Sequence, residues 1–101
     1  MFVIIWRFTV PPESSPRFEQ LYGPEGDWVR LFARHSGYRG TQLLLDPSEP
    51  GSYLTLDFWD SRASYENFRA TCAQDYARID SAGEGLTASE HKLGEFTTVP
   101  A

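Results

Sequence analysis

Residues 53–61 read Tyr53-Leu54-Thr55-Leu56-Asp57-Phe58-Trp59-Asp60-Ser61, and the apolar residues after them are Tyr65, Phe68, Cys72, Tyr76 and Ile79. The first seven positions alternate Leu54, Leu56 and Phe58 with Tyr53, Thr55, Asp57 and Trp59, the period of a strand. The later apolar positions recur every three or four residues, the period of an amphipathic helix. Asp60 or Ser61 stands at the switch, and either side chain can cap the helix. Gly83 and Gly85 close it. Glu90 to Val99 then carries Leu93, Phe96 and Val99 among polar residues and reads as a last, weaker strand.

The same reading extends towards the N-terminus. Pro47-Ser48-Glu49-Pro50-Gly51-Ser52 has turn composition and predicts a hairpin loop. Before it, Tyr38 to Asp46 forms a strand with Leu43-Leu44-Leu45 at its centre. Phe2 to Val10 is β-branched and aromatic almost throughout, so it reads as a first strand, ended by Pro11-Pro12. Ser15 followed by Pro16 predicts a helix start. Phe18, Leu21 and Tyr22, then Trp28, Val29, Leu31 and Phe32, continue the helical region to Gly37, with a break at Gly23-Pro24-Glu25-Gly26. The order is β-α-β-β-α-β. That is an α+β, ferredoxin-like pattern: a four-stranded antiparallel sheet with both helices on one face. Leu54, Leu56 and Phe58 are expected under the helices. Tyr53, Trp59 and part of the first strand would then face outward as an apolar patch, and such a patch marks an interface. A second copy of the sheet is the expected cover.

The chain has 101 residues, so residues 1–101 are expected to form a single domain. Nine Lys and Arg against 14 Asp and Glu give a net charge of −5, which argues against nucleic acid or an anionic membrane surface as partner. The longest apolar run, Met1 to Trp6, is too short to span a bilayer, and a cytoplasmic location is the expectation. The single Cys and two His lie in unrelated segments. No metal, haem or flavin is therefore expected.

Three stretches resemble the antibiotic biosynthesis monooxygenase family of the dimeric α+β barrel superfamily. They are Gly37-Tyr38-Arg39-Gly40-Thr41-Gln42-Leu43-Leu44-Leu45-Asp46, the segment from Tyr53 to Ser61, and Ser64-Tyr65-Glu66-Asn67-Phe68. The opening strand and Gly94-Glu95-Phe96 fit more loosely. The resemblance implies a homodimeric barrel. It also implies a cofactor-independent oxidoreductase acting on a small aromatic or polyketide-like compound. The haem-degrading members resemble a site with Asn on strand one and Trp and His on the last helix. Here Trp6, Phe68 and the histidine-free stretch from Cys72 to Arg78 stand instead, so haem degradation is not implied. The feature that matches the cofactor-free oxygenases is the third-strand Trp, here Trp59. The Asn that accompanies it in some members falls near Thr55.

An oxygenase without a cofactor must bind a flat aromatic, deprotonate it and exclude water. Trp6 and Trp59 offer stacking surface, with Phe68 and Tyr65 beside them; the hydroxyls of Tyr65, Tyr76 and Tyr22 can also face a cleft between helices and sheet. Asp57 or His91 is the expected base, with Arg7 holding the oxyanion. Arg7 and Asp57 pair if they share a sheet face. The alternative is a dimer of the same fold that only binds or sequesters a small apolar ligand. His35 reads as a helix-end residue and Cys72 as core.

Overall fold

The computed structural model describes residues 1–100. Strand β1 spans Phe2–Thr9, α1 spans Ser15–Tyr22, and α2 spans Asp27–Phe32. Strands β2 (Tyr38–Leu45) and β3 (Ser52–Trp59) form the hairpin, followed by α3 (Arg62–Thr71), α4 (Ala73–Gly83) and β4 (Ser89–Thr97). The sheet is fully antiparallel in the order β2-β3-β1-β4. This is the ferredoxin-like arrangement expected from the periodicity, with β1 and β3 at the centre.

Each helical region is in two pieces, for local reasons. A short 3-10 turn, Pro12–Ser14, precedes α1, so Ser14 rather than Ser15 occupies the cap position and Pro16 is the second helical residue. Between α1 and α2 the chain doubles back on the end of α1. A Cβ on Gly26 would lie 2.3 Å from the Leu21 carbonyl oxygen, a distance no side-chain atom tolerates, so only glycine fits there. The second region was expected as one helix, yet it bends at Cys72 (φ −120°, ψ 28°). Just before the bend the Thr71 hydroxyl donates back to the Asn67 and Phe68 carbonyls, a bond that competes with the helix ladder and bends it. The apolar period runs through the bend, which is why the sequence shows no break. At the start of α3 the Ser61 hydroxyl accepts from the Ser64 amide at 3.1 Å, as a cap should.

Strand register corrects the assignment of faces. Phe2 is opposite Trp59, Ile4 opposite Asp57, Trp6 opposite Thr55 and Phe8 opposite Tyr53. Phe2, Ile4 and Trp59 form the main core with Leu21, Leu31, Phe32, Phe68 and Ile79 of the helices. Phe8 and Tyr53 pack with Phe18 in a second cluster. The helices therefore cover Tyr53, Thr55, Asp57 and Trp59. The residues expected under them, Leu54, Leu56 and Phe58, lie on the opposite face with Val3, Ile5 and Arg7. Alternation separates the two sets but both are largely apolar, so it does not say which set meets the helices. The aromatic side chains of α1 and α2 decide it. The Phe18 ring packs tilted against Tyr53 with centroids 4.8 Å apart, and Phe32 meets Trp59 edge-on at 5.6 Å.

Candidate active site

A cleft opens between the sheet and α1, α2 and α4. Its cavity volume is about 70 Å³, and about 520 Å³ with the open space at its mouth included. Trp6 and Phe8 of β1, Tyr22 of α1, Trp28 and Phe32 of α2 and Tyr76 of α4 give it aromatic walls. Trp28 meets Tyr76 edge-on at 4.8 Å and Phe8 meets Tyr22 at 4.9 Å, so the rings brace one another. Thr41, Thr55 and Asp57 form the sheet side, and Asp80 and Glu90 complete the lining. These positions follow from strand parity. Trp6, Phe8, Thr55 and Asp57 all occupy helix-facing sites on adjacent central strands.

Asp57 is the polar centre of the cleft. The Thr41 hydroxyl donates to its Oδ1 at 2.7 Å, and the Tyr38 hydroxyl lies 2.6 Å from Thr41 Oγ1. With Thr41 donating to Asp57, the Tyr38 hydroxyl donates to Thr41, giving a directed chain Tyr38–Thr41–Asp57. Burial pushes the Asp57 carboxyl up to about 6, against the smaller opposing effect of the Thr41 hydrogen bond. Burial also lifts Tyr22 and Tyr76 to about 12, so both stay neutral. Glu90 is raised by burial and then by the nearby Asp80 charge. The lining thus carries three carboxyl groups and no Lys, Arg or His. Among the described residues, no three His, Cys, Asp or Glu gather to hold a metal ion.

Trp6 and Asp57, of the residues singled out from sequence, line this cleft; Tyr22 and Tyr76, considered for it, also do. Arg7 and His91 do not. They are register partners on the face away from the helices, where Arg7 Nη1 donates to Ser52 Oγ at 2.9 Å. The expected pairing of Arg7 with Asp57 is corrected by this geometry, because the two sit on opposite parities of the central strands. Trp59 and Phe68 are wholly buried in the main core rather than in the cleft. Tyr65 packs on Trp59 at 5.6 Å, and its hydroxyl accepts from Arg69. Trp28, Phe32, Thr41, Asp80 and Glu90 were not anticipated as site residues. Trp28 and Phe32 were read only as apolar helix positions, and the acids look like ordinary surface charge until the fold brings them together. Away from the cleft, His35 Nε2 lies 3.0 Å from Cys72 Sγ, a contact between segments that sequence spacing left unrelated.

The chain is thus an α+β protein with a ferredoxin-like sheet and an aromatic, carboxylate-bearing cleft beneath its helices. The profile of the antibiotic biosynthesis monooxygenase family matches residues 1–78, and the chain belongs to that family. No curated protein sequence matches it. Solved structures confirm the fold at low identity. One is SnoaB, a cofactor-independent oxygenase from Streptomyces nogalater, at 22% identity and TM-score 0.72 over 99% of this chain and 94% of that one. A candidate antibiotic biosynthesis monooxygenase from Caulobacter crescentus aligns at 17% identity and TM-score 0.79, covering 98% of this chain and 90% of that one. Another, from Nitrosomonas europaea, aligns at 13% identity and TM-score 0.76, covering 99% and 100%. Among the described residues no helix is long and apolar enough to cross a membrane.

Proposed function

We propose that the protein is a cofactor-independent monooxygenase acting on a small, electron-rich aromatic, with Asp57 as the base. One observation carries this reading: a carboxylate with an elevated pKa stands on the floor of an aromatic-walled cleft, held by Thr41 and opposed by no cation. A base poised near the working pH accepts a proton most effectively. The aromatic walls hold a flat substrate against it, and the deprotonated substrate supplies the electrons to dioxygen. For 1-naphthol the overall reaction is naphthol plus dioxygen to 1,4-naphthoquinone plus water, which balances without any added reductant. Membership of a monooxygenase family and the structural likeness to a cofactor-independent oxygenase support the same class. The test is oxygen uptake by metal-free protein with a panel of naphthols and hydroquinones. Uptake matched mole for mole by quinone is the expected result. Binding of naphthol without uptake would instead favour a sequestering role.

The functional unit is a homodimer joined through the face away from the helices. Val3, Ile5, Leu54, Leu56 and Phe58 lie there, flanked by Leu44 and Phe96, which are 44% and 49% exposed. Val3 is already buried, but Ile5, Leu54, Leu56 and Phe58 are only half-buried and belong to neither core cluster, so burial against a second copy is what they have to gain. Sedimentation equilibrium at micromolar concentration is expected to give twice the chain mass. Leu56→Glu, which sets a charge at the centre of that face, is expected to shift the protein to monomer. A monomeric unmutated protein would refute the dimer.

A further inference from the structure

We propose that Thr41 and Tyr38 are positioning residues for Asp57: they hold one carboxyl oxygen, Oδ1, and leave Oδ2 as the oxygen that takes the ligand's proton. This rests on the reading of Asp57 as the base. The Thr41 hydroxyl donates to Oδ1 at 2.7 Å, and the Tyr38 hydroxyl is 2.6 Å from Thr41 Oγ1. Among the described residues nothing donates to Oδ2. The fully enclosed side-chain polar atoms without a partner are Trp28 Nε1 and Trp59 Nε1. Oδ2 is not one of them, so it keeps accessible surface, and Asp57 lines the cleft. A free carboxyl group turns easily about its last bond. Fixing one oxygen stops that turning and presents the other in a constant direction, as transfer between aligned atoms requires.

Strand period alone keeps these two hydroxyls apart. Tyr38 and Thr41 are three residues apart on β2, and in a regular strand an odd separation puts them on opposite faces. A β-bulge changes this. Tyr38 is opposite Trp59 and Gly40 is opposite Phe58, so Arg39 is an extra residue without a partner on β3. Gly40 has φ +123°, a backbone conformation that glycine adopts freely and other residues rarely do. The bulge reverses the parity and brings Tyr38 to the helix-facing side with Thr41. There the Tyr38 ring meets Trp59 edge-on at 5.4 Å and packs tilted on Phe32 at 5.5 Å, which fixes the direction of its hydroxyl. Arg39 is held outside by a two-pronged pair with Asp60. Burial pushes the Tyr38 phenol up, so it stays a donor at neutral pH. Its bond to Thr41 polarises that hydroxyl and strengthens the hold on Asp57. The other titratable groups of the cleft are Tyr22 on α1, Tyr76 and Asp80 on α4 and Glu90 on β4, and none of them hydrogen-bonds to Asp57.

The test reads Asp57 directly. In protein carrying carbon-13 at its Asp carboxyls, the signal lost in Asp57→Asn is that of Asp57, and its titration is followed without any ligand. Thr41→Val keeps the branched shape and removes the donor. It is expected to raise the midpoint by about one pH unit, because a hydrogen bond to the ionised form is gone. Tyr38→Phe should raise it by a smaller amount, and Thr41→Ser, which keeps a hydroxyl, should restore the unmutated midpoint. In naphthol turnover, Thr41→Val should lower kcat about tenfold with KM changed less than twofold, and the acid limb of its pH profile should move up with the titration. An unmoved midpoint in Thr41→Val, or a raised KM with kcat unchanged, would overturn the assignment while leaving Asp57 as the base. An unmoved midpoint in Tyr38→Phe would remove Tyr38 from it. No oxygen uptake by the unmutated protein, with the titrations behaving as expected, would instead overturn the reading of Asp57 as the base, and the positioning role with it.

Discussion

Replacing Asp57 with asparagine is expected to make the protein more stable at neutral pH while removing its activity. The two effects share one cause. The folded protein holds the Asp57 proton up to about 6, against 3.8 for the ordinary carboxyl. Between these values the folded state carries a proton that the unfolded chain has lost. Raising the pH through that window therefore costs stability, by up to about 3 kcal/mol once both states are ionised. Asparagine has no charge to bury and can still accept from Thr41, although its amide hydrogens gain no counterpart. A net gain of about 1–2 kcal/mol at pH 7.5, and none at pH 4, is the expected outcome of urea melts at the two pH values. Over the same pair of proteins, naphthol turnover should fall about 10²–10⁴-fold. In the unmutated protein, turnover should decline below pH 6 as Asp57 takes a proton. A pH-independent stability difference, or an Asn variant that keeps its turnover, would remove Asp57 from the role of base.

Trp59→Ala is expected to cost about 3–5 kcal/mol, a large share of the roughly 5–15 kcal/mol that holds a domain together. Trp59 is 0% exposed and touches Phe32, Tyr38, Tyr65 and Phe68, so truncation leaves a cavity among four rings. Trp59→Phe is a different substitution. It loses some volume but also removes an indole N–H that is buried without a partner, and the two terms offset to within about 1 kcal/mol. Naphthol turnover per folded molecule should be unchanged in Trp59→Phe, since the indole lies outside the cleft. Melting temperature and oxygen uptake measured together decide this. A variant that melts normally but no longer turns over naphthol would place Trp59 in the chemistry after all.

The strands and helices were legible because each carries a pure period. Tyr53–Trp59 alternates, and Tyr65, Phe68, Cys72, Tyr76 and Ile79 repeat every three or four residues. The β-α-β-β-α-β order, the hairpin and the break near Gly23–Gly26 followed from those periods and from proline and glycine chemistry. The bend at Cys72 was not legible, because a Thr71 back-bond leaves the apolar period intact. Asp57 and Trp6, singled out as candidates from their chemical types and strand positions, both line the cleft.

What the sequence by itself determined was which residues share a face; which face meets the helices was decided only by tertiary packing. Period-two alternation is symmetric, and Leu54, Leu56 and Phe58 are as apolar as Tyr53 and Trp59. Aromatic contacts from α1 and α2 broke that symmetry by drawing Tyr53 and Trp59 inward. That one choice carried Asp57 into the cleft, and it left Arg7 and His91 on the far side of the sheet. The cleft also needed residues from every strand and three helices, with Trp28 and Glu90 brought together from positions far apart in the chain. Local periodicity acts over a few residues and holds no information about such distances, so the site had to wait for the fold.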